Sequence, residues 1–178
     1  MTTTTWRLGL AAAASQALVS TAFAAGVTWS TPGTGFWDDA SNWPGVALPT
    51  DADDVTIDLG TTTAIIRQLA GAPASPLSRF TVASLLAKSA VEHSGGSLLV
   101  KGDATFEDAF TWSGGVLHVD SSIPSGTWTF AKGIHLTAPS LVGMNAGAME
   151  LHGTSILEGG VGILLGNVPV HVDRKSVV

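Results

Sequence analysis

Short apolar segments that alternate between apolar and polar positions recur along the second half of the chain. Examples are SLLVKG (97 to 102), VLHVDS (116 to 121) and GIHLTA (133 to 138), separated by turns that contain Gly, Ser or Asn. Alternation with a period of two is typical of strands with one buried face, and no long stretch shows the period of a helix. The pattern therefore predicts an all-β fold of short strands and tight turns.

These segments align as a repeat with steps of 17 to 19 residues. The alignment places Leu99, His118, His135, His152 and His171 in one column, which is flanked by apolar positions in almost every repeat. A unit this small cannot bury its own apolar face, so successive units are expected to stack as the coils of a solenoid. A parallel β-helix is the predicted architecture. A β-sandwich is the alternative, because short strands at regular spacing also suit it.

The first 24 residues have a different character. A single basic residue, Arg7, precedes a mostly apolar stretch, and Ala22 and Ala24 have A-x-A spacing. This combination is typical of a secretory signal peptide cleaved after Ala24 or Ala25, so residues 1–24 are expected to direct export to the cell surface or the medium. The alternatives are a buried N-terminal helix and a membrane anchor, although no stop-transfer charges follow the stretch.

The last six residues also stand apart. DRKSVV (173 to 178) follows the apolar alternation of Val168, Val170 and Val172 and resembles the translation of a widely used sequencing adapter. We therefore expect residues 173–178 to be an artefact and the reading frame to break after Val172, with an ordinary polar C-terminus as the alternative. The expected organisation is a signal peptide (1–24), an N-terminal cap (25–60), truncated β-helix coils (61–172) and the artefact (173–178).

The composition excludes some partners and one source of stability. The net charge is −6, from 8 basic and 14 acidic side chains, and the chain contains no cysteine. Without Arg7 and the last six residues, 5 basic and 13 acidic side chains remain, which give a net charge of −8. An acidic chain without a basic patch is not expected to bind nucleic acid or anionic lipid. An exported protein without cysteine cannot depend on disulfides, so its repeats must stabilise one another.

The segment GFWDDASNWPG (35 to 45) contains two of the six tryptophans. With its flanking residues it resembles the start of secreted bacterial β-helix proteins of the autotransporter and autotransporter-associated repeat type. The resemblance is close over residues 27–59, and the coils that follow are similar to such proteins only in their Gly-rich texture. The matching positions are Trp29, Gly35, Trp37, Asn42, Trp43, Gly45, Pro49, Asp53, Asp54, Val55 and Ile57.

The resemblance implies an exported β-helix whose first coil has to be covered, because it exposes strand edges and the end of the apolar core. Trp29, Trp37 and Trp43 have the apolar area for that cover, and Gly35 and Asn42 lie in the turns between them. We therefore predict that these five residues form a structural cap and that Trp37 and Trp43 are buried. A platform of exposed tryptophans for sugar rings is the alternative.

Two groups of residues have the chemistry of metal ligands. DADDVTID (51 to 58) contains four carboxylates without the ligand order of a calcium loop, so a turn and a strand with Val55 and Ile57 inward are predicted. In parallel coils, the histidines of the column would stack outside the core at intervals of about 4.8 Å. A solvated ladder is the favoured interpretation of His118, His135, His152 and His171, and a zinc site with Asp120 or Glu150 is the weak alternative. No cofactor is predicted.

The sequence contains little that indicates catalysis. It has no nucleophile elbow, no phosphate loop and no evident pair of carboxylates for glycoside hydrolysis. We therefore predict no catalytic residue and a structural or adhesive role for an exported β-helix that binds an unknown surface ligand, such as a glycan or a host cell. The alternative is the N-terminal portion of a carbohydrate-active β-helix enzyme, a polysaccharide lyase or a glycosidase, whose catalytic coils are missing.

Overall fold

The computed structural model describes residues 25–29, 31–67, 79–119, 126–137, 142–145, 148–158, 163–165 and 169–172. The predicted signal peptide (1–24) and the predicted artefact (173–178) lie outside the described residues.

Two short 3-10 turns occur, at Ala40–Asn42 and Pro44–Val46. The strands are β1 (Ala25–Thr28), β2 (Gly35–Phe36), β3 (Asp53–Ile57), β4 (Ala64–Ile66), β5 (Arg79–Val82), β6 (Ser84–Ala87), β7 (Val91–Val100), β8 (Ala104–Phe106), β9 (Phe110–Val119), β10 (Thr127–Phe130), β11 (Ile134–Leu136), β12 (Val142–Asn145), β13 (Ala148–Leu151), β14 (Ile156–Leu157), β15 (Ile163–Leu165) and β16 (Val170–Val172).

The strands form two sheets in which every described pairing is parallel. The seven-stranded sheet, which we call stack 1, has the order β1-β3-β6-β8-β10-β13-β16. The nine-stranded sheet has two parts, because the register between β7 and β9 shifts around Ser94. Stack 2 contains β2, β4, residues 91–93 of β7, residues 110–112 of β9, β11 and β14. Stack 3 contains β5, residues 97–100 of β7, residues 116–119 of β9, β12 and β15.

From β3 onward the chain visits stack 1, stack 2 and stack 3 in the same order and then returns to stack 1. Parallel neighbours need a crossover connection, which in most proteins contains an α-helix. Here the crossovers in the described part of the chain consist of other strands and turns, without an α-helix. The prediction of an all-β fold is therefore confirmed at the level of two parallel sheets. A β-sandwich of antiparallel sheets does not have this pairing.

The core is made by side chains at alternate positions of each strand, as expected for strands with one buried face. Phe106 and Phe130 are register partners in stack 1, and their rings stack with centroids 5.0 Å apart. Phe110 of stack 2 lies 4.5 Å from Phe106 and 4.9 Å from Phe130, between ring centroids. Side chains from all three stacks belong to one buried cluster. The stacks therefore share a single apolar core.

The two ends of this core differ. At the end where β1 and β2 lie, Trp29, Trp37 and Trp43 are buried. At the other end the apolar side chains of β14 and β16 are between 37% and 48% exposed, because within the described ranges no further strand pairs with their outer edges. Among the described residues, one end of the stacked strands is therefore covered by aromatic side chains, and the other has partly exposed apolar side chains.

Candidate functional site

The three tryptophans of the N-terminal segment pack against one another. The Trp43 ring lies 4.9 Å from the Trp29 ring and 4.9 Å from the Trp37 ring, both in edge-to-face geometry. Trp37 and Trp43 are 0% and 1% exposed, and Trp29 is 3% exposed. The prediction that Trp37 and Trp43 are buried is confirmed. A sugar ring cannot stack on faces that are closed to solvent, so this cluster does not have the geometry of a carbohydrate platform.

Asn42 and Gly35 hold the backbone of the same cluster. The Asn42 amide Nδ2 donates a hydrogen bond to the Phe36 carbonyl oxygen at 2.8 Å, and Asn42 is 5% exposed. A Cβ atom on Gly35 would lie 2.8 Å from Asn42 Nδ2 and 2.9 Å from Trp29 Cζ2, which is closer than a side chain tolerates. The structure therefore brings together the five residues that the sequence analysis assigned to the cap, in an arrangement built by packing and backbone hydrogen bonds.

Backbone hydrogen bonds place Trp29 and Trp37 at the ends of two strand ladders. The Trp29 N–H donates to the Thr56 carbonyl, and the Trp37 N–H donates to the Ile65 carbonyl, so each extends a strand ladder by one residue. Trp29 thus lies over the inward position of Ile57, and Trp37 over that of Ile66. The cap continues the inward columns of stacks 1 and 2 with larger side chains. Their area is what covers the end of the core.

The four carboxylates of residues 51–58 are all engaged by neighbouring groups. Asp53 Oδ2 accepts hydrogen bonds from the Thr50 N–H and hydroxyl, each at 2.7 Å. Asp54 accepts a hydrogen bond from the Ser84 hydroxyl, Asp51 pairs with Lys101, and Asp58 pairs with Lys88. The strand with Val55 and Ile57 inward is confirmed by their burial. These carboxylates connect strands and turns and do not converge on a common point.

The proposed histidine column is wrong, because the four side chains lie in different stacks. His118 belongs to stack 3, where its register partners are Leu99 and Asn145. His135 belongs to stack 2, between Thr111 and Ile156. His171 is in stack 1, opposite Glu150, and His152 follows β13 directly. Only the first step of the alignment, from Leu99 to His118, joins true neighbours.

The error has a physical cause in the turns. Register partners in stack 1 are 30 positions apart from Val55 to Leu85, 19 from Leu85 to Ala104 and 24 from Ala104 to Trp128. Turns of different length absorb these differences while the ladder keeps its register. A constant step of 17 to 19 residues therefore cannot follow one column through the molecule.

Two of the surface histidines, His135 and His152, lie beside carboxylates. His135 Nε2 lies 2.8 Å from Glu158 Oε1, and His152 Nε2 lies 3.7 Å from Glu150 Oε2. Among the described residues, no group of three or more His, Asp or Glu side chains has the arrangement of a metal site. Asp120, the other carboxylate considered in the sequence analysis, lies outside the described residues.

Basic side chains also pair with acidic residues distant in the sequence. The pairs are Arg67 with Asp38, Lys88 with Asp58, Lys101 with Asp51 and Lys132 with Asp108. Hydrogen bonding from Lys132 holds the pKa of Asp108 below its ordinary value of 3.8, and Lys101 has the same effect on Asp51. In each pair the charges neutralise one another. These four pairs therefore connect distant segments of the chain.

The clefts that described residues line include two at the surface of the stacked strands. One has a volume of about 180 Å³ beside Trp29 and Asp58, and the other about 170 Å³ beside Lys132, His135 and Ile156. Sites for small molecules have volumes of about 300 Å³ or more. Both clefts are too small to enclose a cofactor or a sugar ring, so they lack the form of a catalytic pocket.

Sequence reasoning missed the most unusual polar residue of the structure, His93. It lies between Ile66 and Trp112 on the inward side of stack 2, is fully buried, and neither ring nitrogen has a hydrogen-bond partner. Burial lowers the pKa of His93 from 6.5 to about 4, and nearby backbone groups of Val116 and Gly114 oppose this to a smaller extent. A signal was present: HSGG (93 to 96) aligns with WSGG (112 to 115), which places His93 in an inward aromatic position.

No protein-family model matches this chain, and no curated protein or solved structure matches it. No helix in the described part of the chain has the length and apolar character needed to cross a membrane.

Proposed function

We propose that the three stacks are the faces of a parallel β-helix with an N-terminal tryptophan cap. The observation that carries this proposal is the fixed order in which the chain visits the three stacks, with parallel pairing at every step. The shared core supports it as well, since Phe110 of stack 2 contacts Phe106 and Phe130 of stack 1. In such a fold each coil stabilises its neighbours, so an exported protein does not require disulfides.

The biological role that we propose is that of an exported, non-catalytic passenger of the autotransporter type at the cell surface or in the medium. Its resemblance to the start of such proteins involves the cap residues, and these form a buried cluster that supports a cap. Several carboxylates that a catalytic site could use are paired instead, Asp51, Asp58 and Asp108 with lysines and Asp54 with the Ser84 hydroxyl. A rigid rod of this kind acts by presenting outward side chains to a partner.

The face that we propose for this contact is the outer side of stack 1. Thr105 and Thr129 are half-buried outward register partners, and neighbouring rows of a sheet lie about 4.8 Å apart. Thr56 belongs to the same column, with Leu86 between it and Thr105. Short hydroxyl side chains on a parallel sheet provide a flat, hydrogen-bonding surface. Such a surface suits an extended glycan of a host or neighbouring cell better than a small molecule.

The architecture is tested with pairs of engineered thiols, for which a chain without cysteine is well suited. Thr105→Cys with Thr129→Cys joins register partners on adjacent strands and should form a disulfide under mild oxidation. His118→Cys with His135→Cys joins residues of different stacks and should remain reduced. The reverse result would contradict both the register and the proposed β-helix.

Export is tested by expressing the chain with residues 1–24 in a Gram-negative bacterium. A product that reaches the periplasm and begins at Ala25 or Gly26 supports the proposal, as determined by fractionation and N-terminal sequencing. Leu10→Arg interrupts the apolar stretch and should keep the product in the cytoplasm uncleaved. Thr4→Arg, outside that stretch, is the control. An intact N-terminus in the cytoplasm for the unmodified chain would contradict export.

Ligand binding is tested on a glycan array and on cell surfaces. Thr105→Glu with Thr129→Glu should abolish binding, whereas Thr111→Glu on stack 2 should leave it unchanged. Equal loss in both variants would exclude stack 1 as the specific contact. Release of oligosaccharides from any glycan that binds would contradict the non-catalytic role and favour the carbohydrate-active enzyme.

A further inference from the structure

His93 occupies the inner side of a corner where β7 and β9 turn from stack 2 into stack 3. Each strand passes through a Ser-Gly-Gly segment there, residues 94–96 in β7 and 113–115 in β9. Gly115 has a φ of 82°, and a Cβ atom on it would lie 2.5 Å from His93 Cε1. The imidazole therefore lies directly against the glycine backbone. These glycines contribute no side chains to the packing, so the corner is held mainly by backbone contacts.

The surroundings of His93 favour the neutral imidazole, because burial outweighs the backbone groups of Val116, Gly114 and His93 itself, which favour the charged form. Its inward neighbours are apolar, namely Ile66 on β4 and Trp112 on β9. Leu98 and Leu117 fill the adjoining part of stack 3, and both are fully buried. An imidazolium ion in such a place has lost its hydration without gaining a carboxylate partner from these strands, which is unfavourable.

The charged groups on the adjacent elements take outward positions or are already paired. Glu92 alternates with the inward Val91 and His93, and it accepts a hydrogen bond from Ser113 on β9. Arg67, which follows β4, pairs with Asp38. Within the described ranges, no carboxylate from β4, β7 or β9 faces the ring. Protonation of His93 is therefore opposed by burial, which is not offset by a carboxylate from these three strands.

We propose that protonation of His93 opens the corner formed by the two Ser-Gly-Gly segments, which makes this corner an acid-sensitive joint in the molecule. A charged imidazole has to reach water, and the glycine backbone that it touches has no side chain to hold it in place. Stack 1 contains separate strands with their own ladder, so it remains paired when the corner opens. The proposal is independent of the export and ligand proposed above, because it concerns only the response of the fold to acid.

The stability of the closed corner is expected to fall with acid, because the folded core keeps His93 neutral. The pKa of His93 is lower in the folded protein, about 4, than the ordinary 6.5 of an open or unfolded segment. The closed corner is therefore fully favoured above about pH 6.5 and loses stability progressively as the pH falls towards 4. The opening equilibrium constant is expected to rise up to about tenfold per pH unit in that window, or about 300-fold in all.

The experiment measures the accessibility of single thiols between pH 7.5 and pH 4. Ser97→Cys places a thiol at a buried position directly after the corner, and Ala104→Cys places one at a buried position of stack 1. Labelling with a dithiodipyridine reagent is normalised at each pH to the urea-unfolded chain. The labelling of position 97 is expected to rise by about two orders of magnitude with acid, while position 104 stays protected. A parallel rise at both positions would indicate global unfolding and overturn the joint.

The role of His93 is tested by His93→Leu, which keeps an apolar side chain between Ile66 and Trp112 and removes the titrating group. The acid-dependent labelling of position 97 should disappear in this variant. His135→Leu, the same substitution at a surface histidine, should retain it. Persistence of the acid response in His93→Leu would overturn the proposal.

A measurement without any substitution at His93 covers the case in which His93→Leu does not fold. The ring of His93 is followed by ¹⁵N-histidine NMR in the unmodified chain. The ring should remain neutral while the corner is closed, and its protonation should coincide with loss of the signals of Gly95 and Gly114. Titration near pH 6.5 with those signals unchanged would overturn the proposal.

Discussion

The indole Nε1 of Trp43 donates a hydrogen bond of 2.9 Å to the backbone carbonyl oxygen of Trp37. This bond connects the turn after Asn42 to the strand ladder that Trp37 extends, so the cap is closed by a specific polar contact inside an apolar cluster. The contact combines the two features for which a buried tryptophan is suited, a large apolar area and one N–H donor. Substitutions of Trp43 can therefore measure the contribution of the hydrogen bond and that of the apolar area separately.

Trp43→Phe should lower the free energy of unfolding by about 1 to 2 kcal/mol, because it removes the hydrogen bond and part of the ring. Trp43→Ala should lower it by about 3 to 5 kcal/mol, because it leaves a cavity at the end of the core. Urea denaturation followed by far-ultraviolet circular dichroism measures both. Val46→Ala is the control, since Val46 is 70% exposed and its truncation should not destabilise the protein. Equal effects of all three substitutions would show that the cap is not part of the cooperative core.

The sequence was sufficient to predict the features that depend on local alternation and on large apolar side chains. The inward positions of Val55 and Ile57 follow from the period of two, and the burial of Trp37 and Trp43 follows from their size and from the need to cover a core end. These predictions do not require the turns to have a known length.

The histidine column could not be predicted correctly, because register depends on the turns. His118 pairs with Asn145, 27 positions later, and not with His135, because the chain between them also forms β10 and β11 in the other stacks. His93 was missed for a different reason. The alternation of β7 places His93 at an inward position. Inward positions are expected to be apolar, so a histidine there was not predicted to be buried.

Gly133 is predicted to tolerate no side chain. Its φ is 82°, and a Cβ atom would lie 2.2 Å from the Thr154 carbonyl oxygen of the neighbouring strand connection. Gly133→Ala should therefore destabilise the protein by more than about 2 kcal/mol, since it adds left-handed backbone strain to a clash with backbone atoms. Gly26→Ala is the matched control, because nothing lies within 4 Å of a Cβ atom there. Thermal unfolding of both variants measures the difference. An unchanged melting temperature for Gly133→Ala would contradict the close approach of these two turns.

Arg67 should contribute more to stability than the surface lysines. Its guanidinium group pairs with Asp38, whose side chain is only 5% exposed, and lies 3.4 Å above the centre of the Phe36 ring. Arg67→Met should cost about 2 to 4 kcal/mol, because it leaves a buried carboxylate without its partner. Lys88→Met, which removes a pair with both side chains about half exposed, should cost less than about 1 kcal/mol.

The same pair distinguishes charge from geometry. Arg67→Lys retains the positive charge but loses the planar group that stacks on Phe36, so its effect should lie between those of the wild type and Arg67→Met. Chemical denaturation of the three variants in parallel provides the comparison. If Arg67→Met and Lys88→Met lower stability equally, the burial of Asp38 does not matter energetically.

The contact between Lys132 and Asp108 should be visible in the acid dependence of stability. Hydrogen bonding from Lys132, and then from the Ala109 N–H, lowers the pKa of Asp108 below its ordinary value of 3.8. A carboxyl group with a lowered pKa in the folded state stabilises the protein above the unfolded pKa and loses this effect as the pH falls through the folded one. Lys132→Met should therefore raise the pKa of Asp108 towards 3.8, whereas Lys132→Arg should keep it low. Carboxyl ¹³C NMR titration measures each value directly.

The difference in stability between the wild type and Lys132→Met should be constant above about pH 5 and shrink below pH 3.8. An Asp108 titration that is the same in Lys132→Met and the wild type would show that the ion pair does not form in solution.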